Sequence, residues 1–365
     1  MSAKKVSIYT LNQLLHHGKQ PAAGGLERYM RDIAVLMREM GYDVNFVQNG
    51  THRWKRDYMG FTVYGVPMLE GNVSDIEAMD RVSHDRVLYG WVGQQETYKD
   101  TEGIVINHGI WWDDANYDLE RLPWIIPNIV NGLDHCKVMV TVDTAFLNWC
   151  RSTIGNRIRG KLRYIPNYVD LNMFRPEEKT KETDFVTVLY PRRISPVRGI
   201  ELAKRLSVRL LGKYAHVKFK FAVDHNHPQL WNEFVEWADA HPYRDRLDIG
   251  NYYFDDIPNA YREADIVLLP TIQSEGTSFS CLESMGCGKA IVTTAVGGMT
   301  DLILDGFNGR LVMPEEESLF EALCELIEDG ELRRTFGHHA YMTAKAFSKE
   351  RWEAQWAKWI AAVYG

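Results

Sequence analysis

Short apolar runs alternate along the chain with stretches whose apolar positions recur every three or four residues. Residues 6–10 have the composition of a strand. Leu26, Tyr29, Ile33, Leu36 and Met40 follow at helical spacing, and Gly41 ends the stripe. "DVNFVQ" is the next predicted strand, and "FTVYGV", "RVLYGW", "GIVIN", "KVMVTV" and "LRYIPN" continue the series. Residues 175–183 ("RPEEKTKET") are nearly free of apolar side chains and read as a linker. The alternation then restarts with "FVTVLY", "VKFKFAV", "LDIG", "DIVLLP", "AIVTT" and "GRLV". This α/β pattern predicts two Rossmann-like parallel sheets, each covered by helices on both faces. Ligands of such sheets bind at the carboxyl ends of strands, and a cleft between two such domains is a natural site. The expected division is 1–176, 184–345 and a closing helix at 346–365. Trp352, Trp356, Trp359 and Val363 share one stripe of that helix. So much aromatic surface needs a large partner, and the expectation is that the helix crosses back onto the first domain.

Composition narrows the class. A chain of 365 residues exceeds a single domain of about 100–200. A net charge of −7 argues against wholesale binding to nucleic acid. The five cysteines (Cys136, Cys150, Cys281, Cys287, Cys324) are scattered and form no C-x-x-C, which suits buried thiols in a reducing compartment. The apolar run "VSIYTL" is too short for a signal sequence, and no apolar stretch of about 18 residues occurs. The expected location is the cytoplasm, with the inner membrane face as a candidate peripheral contact.

The chemistry concentrates at 274–288, "SEGTSFSCLESMGCG". Gly276 lets the chain turn after "DIVLLP", and "FSCLESMG" predicts a short helix with Thr277 and Ser278 at its start. A helix N-terminus at a strand's carboxyl end favours an anion. Glu275 precedes that helix and Glu283 lies two turns into it. A carboxylate is a natural acceptor for the two hydroxyls of a ribose. Downstream, Gly297 and Gly298 read as a second place where backbone approaches ligand. "PRRISPVR" brings three arginines after a strand.

E-x7-E followed by G-G and "DGFNGRLV" resembles the donor-binding half of retaining glycosyltransferases of the GT-B fold, family 4. "AAGGLERYMRDIAVLMREMGYDV" is similar to that family's N-terminal glycine loop and first helix. "YIPNYVDLNMFRP" is similar to its interdomain segment, and "YPRRISPVRGI" to the first strand and loop of its second domain. The resemblance implies transfer of a sugar from a UDP- or GDP-linked donor to a saccharide or lipid-linked acceptor, with retained anomeric configuration. It implies that Arg193 and Arg198 hold the diphosphate, that Glu275 lies by the donor sugar, and that Glu283 takes the ribose. Gly276, Thr277, Ser278 and Asn167 join them as binding residues. Gly24 and Gly25 approach the diphosphate from the first domain, and His108 stands near the sugar. Which of Arg192 and Arg193 points inward is open. Trp111 and Trp112 suit either a sugar face or a core.

Arg198 stands where the family usually has lysine, Tyr168 where it has glycine, Lys289 where it has proline, and Asp301 where it has glutamate. No D-x-D occurs, so the expectation is a cofactor-free site in which arginines and helix dipole replace a metal ion. His225 and His227 are a weaker metal candidate. Residues 151–163 carry five basic and no acidic side chains, and "THRWKRDYMG" is a second basic loop. Either contacts a phosphorylated or lipid-linked acceptor, or is a solvated surface. Two other functions use the same residues, a nucleotide-sugar epimerase and a non-catalytic nucleotide-sugar binding protein.

Overall fold

The computed structural model describes residues 4–22, 24–70, 74–92, 99–110, 112, 122–158, 160–177, 184–224, 228–252 and 256–365. The expected linker and the pair His225 and His227 therefore fall largely or wholly outside the described residues, as does Trp111. The chain forms two compact units, Met1–Pro166 with Glu350–Gly365, and Asn167–Lys349.

The first unit runs β1 (Lys4–Tyr9), α1 (Gly25–Glu39), β2 (Tyr42–Gly50), β3 (Trp54–Tyr58), β4 (Phe61–Pro67), α2 (Ile76–Val82), β5 (Arg86–Tyr89), β6 (Ile104–Asn107), α3 (Leu122–Asp134), β7 (Val138–Thr141), α4 (Thr144–Thr153) and β8 (Leu162–Tyr164). The sheet order is β3-β4-β2-β1-β5-β6-β7-β8. Every neighbouring pair is parallel except β3 with β4. Ile8 of β1 lies between Phe46 and Leu88, and all three are buried. A central parallel strand is covered on both faces and so carries an unbroken apolar run.

The stretch read as a second basic loop is β3. Trp54 is buried, while Lys55, Arg56 and Asp57 are exposed along the sheet's edge, where charge discourages pairing with another chain. Trp54 fills a slot that Gly65 leaves open: a Cβ there would lie 2.0 Å from the indole. The buried face of α1 comprises Tyr29, Met30, Ile33, Ala34 and Met37. It is rotated from the predicted stripe, and Leu26, Leu36 and Met40 are half-buried.

The second unit runs β9 (Val186–Tyr190), α5 (Ile200–Lys213), β10 (Val217–Ala222), α6 (Pro228–Asp239), β11 (Leu247–Gly250), α7 (Ile257–Glu263), β12 (Ile266–Leu269), α8 (Phe279–Gly286), β13 (Ala290–Thr294), β14 (Arg310–Val312), α9 (Glu316–Glu328) and α10 (Gly330–Ala344). Its sheet, β11-β10-β9-β12-β13-β14, is parallel throughout. Val188, Tyr190, Ile266 and Leu268 face one core layer. The alternate residues Leu189, Val267 and Leu269 face the other, as the two-residue period of a strand requires.

The last helix, α11 (Lys349–Tyr364), buries Trp352, Trp356, Ile360 and Tyr364. Trp359 and Val363, predicted on this stripe, are half-buried, and the Arg163 guanidinium lies 4.4 Å from the Trp359 ring centre. From Glu350 onward the helix belongs to the first unit. Trp356 Nε1 donates to Tyr29 Oη at 2.9 Å. The Tyr364 hydroxyl donates to the Val87 carbonyl and accepts from the Ile104 N–H, each at 2.9 Å. No described helix is long and apolar enough to cross a membrane. All five cysteines are free and buried.

The Tyr364 contacts yield a stability test. Tyr364→Phe strands a buried carbonyl and a buried N–H, so urea denaturation should show a loss of about 1–3 kcal/mol. An unchanged midpoint would mean that this tie contributes nothing.

Candidate functional site

In the second unit, the segments after β9 and β12 meet at the carboxyl end of the sheet. After β9 the chain turns through Pro191 and Arg192 into a short 3-10 turn, Pro196–Arg198. The Tyr190 hydroxyl donates to the carbonyls of Arg193 and Arg198, both at 3.2 Å, and holds the loop at two points. After β12, Ser274 adopts a φ of 48°. Such a left-handed conformation is costly for a non-glycine residue and clusters at functional sites. It aims the next side chain, Glu275, into the β9 loop.

Glu275 is buried, and its Oε2 gathers the site. Arg192 Nη2 donates to it closely. Arg198 Nη1 donates to it at 2.5 Å and to the Ser274 carbonyl at 3.1 Å. Arg192 Nη1 donates to Ser278 Oγ at 2.7 Å. Two guanidiniums thus share one carboxylate oxygen. Burial alone would raise the Glu275 carboxyl, but Arg192 and Arg198 together outweigh it and hold the carboxyl below its usual range. Burial pulls both guanidiniums down. Glu275 more than restores Arg192, while Arg198 stays lowered. Both remain cationic at any physiological pH, so the trio carries an excess positive charge.

Arg192 is the arginine that points inward. Arg193, which the sequence singled out, is exposed. Arg192 lies at the bend that follows β9, and the path of the chain there turns its side chain toward Glu275 and Ser278. Ser278 occupies the N-cap position of α8, but its hydroxyl accepts from Arg192 and makes no capping bond. Gly297 and Gly298 approach the chain itself. A Cβ on Gly297 would sit 2.0 Å from the Glu275 carbonyl oxygen, and one on Gly298 2.4 Å from the Gly276 carbonyl carbon. The Gly298 N–H donates to the Glu275 carbonyl at 2.8 Å. The glycine pair therefore clamps the Glu275–Gly276 backbone.

Asn167 joins the same group. Its backbone N–H donates to Thr277 Oγ1 at 2.8 Å and its Nδ2 to the Thr277 carbonyl at 2.5 Å. Its Oδ1 is buried without a partner among the described residues. Tyr168, where a glycine was expected, packs edge-on against Phe279 at 5.4 Å. Glu283 on α8 is buried and accepts from the Tyr261 hydroxyl at 2.9 Å. Lys289 donates to the carbonyls of Arg262 and Ala264, each at 3.0 Å. The structure thus brings together Arg198, Glu275, Gly276, Thr277, Ser278 and Asn167, and adds Arg192.

Gly24, Gly25 and His108 belong to the first unit. Gly24 is the N-cap of α1 and Gly25 its first residue. His108 follows β6 and meets Tyr29 edge-on at 5.1 Å. Burial lowers its pKa to about 4, against a backbone hydrogen bond at Gly90 that raises it, so the ring is neutral at pH 7. Its Nε2 is buried with no partner among the described residues. Trp112 sits against Phe146 and Trp149 at 5.4 and 5.5 Å, which favours the core alternative. In the basic stretch 151–163, Arg157 pairs with Asp134, Lys161 Nζ donates to the Leu133 carbonyl, and Arg163 lies on Trp359. These three cations anchor the first unit.

Residues 173–343, within the second unit, match the family described as glycosyl transferases group 1. The chain is 27% identical over 206 residues to a D-inositol 3-phosphate glycosyltransferase of Kribbella flavida, covering 52% of this chain and 48% of that one. It is 34% identical over 104 residues to an uncharacterized glycosyltransferase of Methanocaldococcus jannaschii, covering 28% of this chain and 29% of that one. The matches thus span half or less of these relatives' lengths. Among solved structures, sucrose-phosphate synthase from Thermosynechococcus elongatus superposes with a TM-score of 0.79 at 14% identity, over 99% of both chains. An Anabaena protein solved with UDP superposes at 0.74 with 16% identity, over 99% of this chain and 100% of that one. At such identities the likeness establishes the fold, which is GT-B.

Arg192→Met leaves Glu275 with Arg198 and the Thr271 hydroxyl as donors and takes from Ser278 Oγ its Arg192 donor. Glu275 keeps Arg198 as its counter-charge, so the cost is that of a lost hydrogen bond to a charged group, about 1.5–3 kcal/mol. Thermal unfolding at pH 7 should show a drop of several degrees. Retention of the wild-type midpoint would exclude Arg192 as a support of Glu275.

Proposed function

We propose that this protein is a retaining glycosyltransferase. In this reading it moves a sugar from a UDP- or GDP-linked donor to a saccharide or lipid-linked acceptor, in the assembly of a surface polysaccharide or glycoconjugate. The observation that carries the reading is the Arg192–Glu275–Arg198 trio, with Arg192 and Glu275 buried and Arg198 half-buried, at the carboxyl end of a parallel sheet and inside the segment matching glycosyl transferases group 1. The two curated relatives named above are glycosyltransferases.

The chemistry follows from charge. Breaking a bond between a sugar and a diphosphate leaves growing negative charge on the departing phosphate. Fixed cations there act more strongly in the transition state than in the ground state, and a donor of this kind is worth about 2.7–4 kcal/mol. Arg198 supplies one cation at the trio, and Arg193 is a second candidate from the same loop. Glu275 holds Arg198 in place and would face the donor sugar, beside the backbone of Gly276, Thr277 and Ser278. Asn167 offers its unpartnered oxygen to a hydroxyl donor. Glu283 would accept the ribose hydroxyls.

Retention then proceeds on one face of the sugar. The leaving phosphate helps take the acceptor's proton as the new bond forms on the side that the old one leaves. The guanidiniums do the work of charge stabilisation, and no metal ion is required.

The test is turnover with a panel of UDP- and GDP-sugars and saccharide acceptors, read by proton NMR of the product's anomeric centre. The product should keep the donor's configuration, and EDTA should leave the rate unchanged. An inverted product would overturn retention, and a rate abolished by EDTA would overturn the metal-free mechanism. Conversion of donor without acceptor would favour an epimerase instead.

A further inference from the structure

Glu283 is gripped from a neighbouring element. The Tyr261 hydroxyl donates to its Oε2 at 2.9 Å, and both side chains are buried. Tyr261 lies on α7 and Glu283 on α8, so the bond is not a by-product of one helix's spacing. The phenol's other acceptor, the Ser280 carbonyl, is distant at 3.4 Å. The ring stands edge-on to Phe174, with centres 6.0 Å apart and planes at 74°. It is part of a core layer with Phe174, Leu282 and Met285, which fixes where the hydroxyl points. Burial first, and the adjacent Glu283 carboxylate second, hold the phenol well above its ordinary range, so it stays a donor.

A glutamate side chain has several rotatable bonds, and ordering it on ligand binding costs free energy. A rigid donor on one oxygen meets that cost during folding. We propose that Tyr261 is a positioning residue: its hydroxyl sets the orientation in which the Glu283 carboxylate receives the ribose hydroxyls of the nucleotide donor. The proposal rests on reading Glu283 as the ribose acceptor. Its consequence is specific, because selectivity for a ribose diol passes through a residue that touches no ligand.

The measurement is calorimetric titration of the full chain with UDP, GDP and their 2′,3′-dideoxy analogues, for wild type, Tyr261→Phe, Glu283→Gln and the double variant. Wild type should prefer the ribonucleotide. Tyr261→Phe should cut that preference about tenfold, about 1.4 kcal/mol, while dideoxy affinity holds. In the Glu283→Gln background, Tyr261→Phe should remove nothing more. Full ribose preference in Tyr261→Phe, even with lowered stability, would make the tyrosine a packing residue and overturn the inference alone. A further tenfold loss in the double variant would also overturn it. No ribose preference in wild type would overturn the reading of Glu283 and the inference with it.

Discussion

One buried carboxylate oxygen shared by two guanidiniums organises the second unit's carboxyl end. Glu275 Oε2 binds Arg192 and Arg198. Arg192, the buried one, depends on it for its counter-charge, since a buried unpaired cation is among the costliest features of a fold. The arginines in turn hold the carboxylate below its usual range against the upward pull of burial. Arg192 and Glu275 thus depend on each other, so the β9 loop and the segment after β12 settle together.

The surrounding backbone enforces the same arrangement. Ser274 takes a left-handed conformation, and the glycine pair at 297 and 298 presses on the Glu275–Gly276 backbone. The hydroxyl of Ser278 serves Arg192 in place of its own helix. Local rules are broken at these points, which is expected where function sets the geometry. An excess of fixed positive charge is suited to a ligand whose anionic charge grows during reaction. Glu283, a helix away from the trio and backed by Tyr261, is suited to a neutral hydroxyl-bearing ligand part.

Much of the fold was legible because period and length are local properties. The apolar runs mark thirteen of the fourteen strands among the described residues, and "FSCLESMG" forms α8 as predicted. β3 was missed because an edge strand carries charges, and "WKRDY" buries only its tryptophan. The stripes of α1 and α11 were found but rotated: Ile360 and Tyr364 carry the burial that Trp359 and Val363 were expected to carry. Rotation about a helix axis depends on the partner surface, which no short window contains. In the site, Glu275, Thr277 and Asn167 could be picked from motifs. The inward turn of Arg192 could not, because "PRR" offers adjacent arginines and only the path after β9 separates them. Tyr261 was silent for the same reason. Its partner is 22 residues away, and the apolar pattern of α7 already accounts for an aromatic there.

The central claim is that the guanidinium and carboxylate trio forms the anion end of a nucleotide-sugar site. A crystal structure of the protein with a nucleoside diphosphate sugar tests it most directly. The account predicts a phosphate oxygen about 2.7–2.9 Å from the Arg198 guanidinium, with the ribose on Glu283. A diphosphate bound elsewhere, away from Arg198 and from both glutamates, would contradict it.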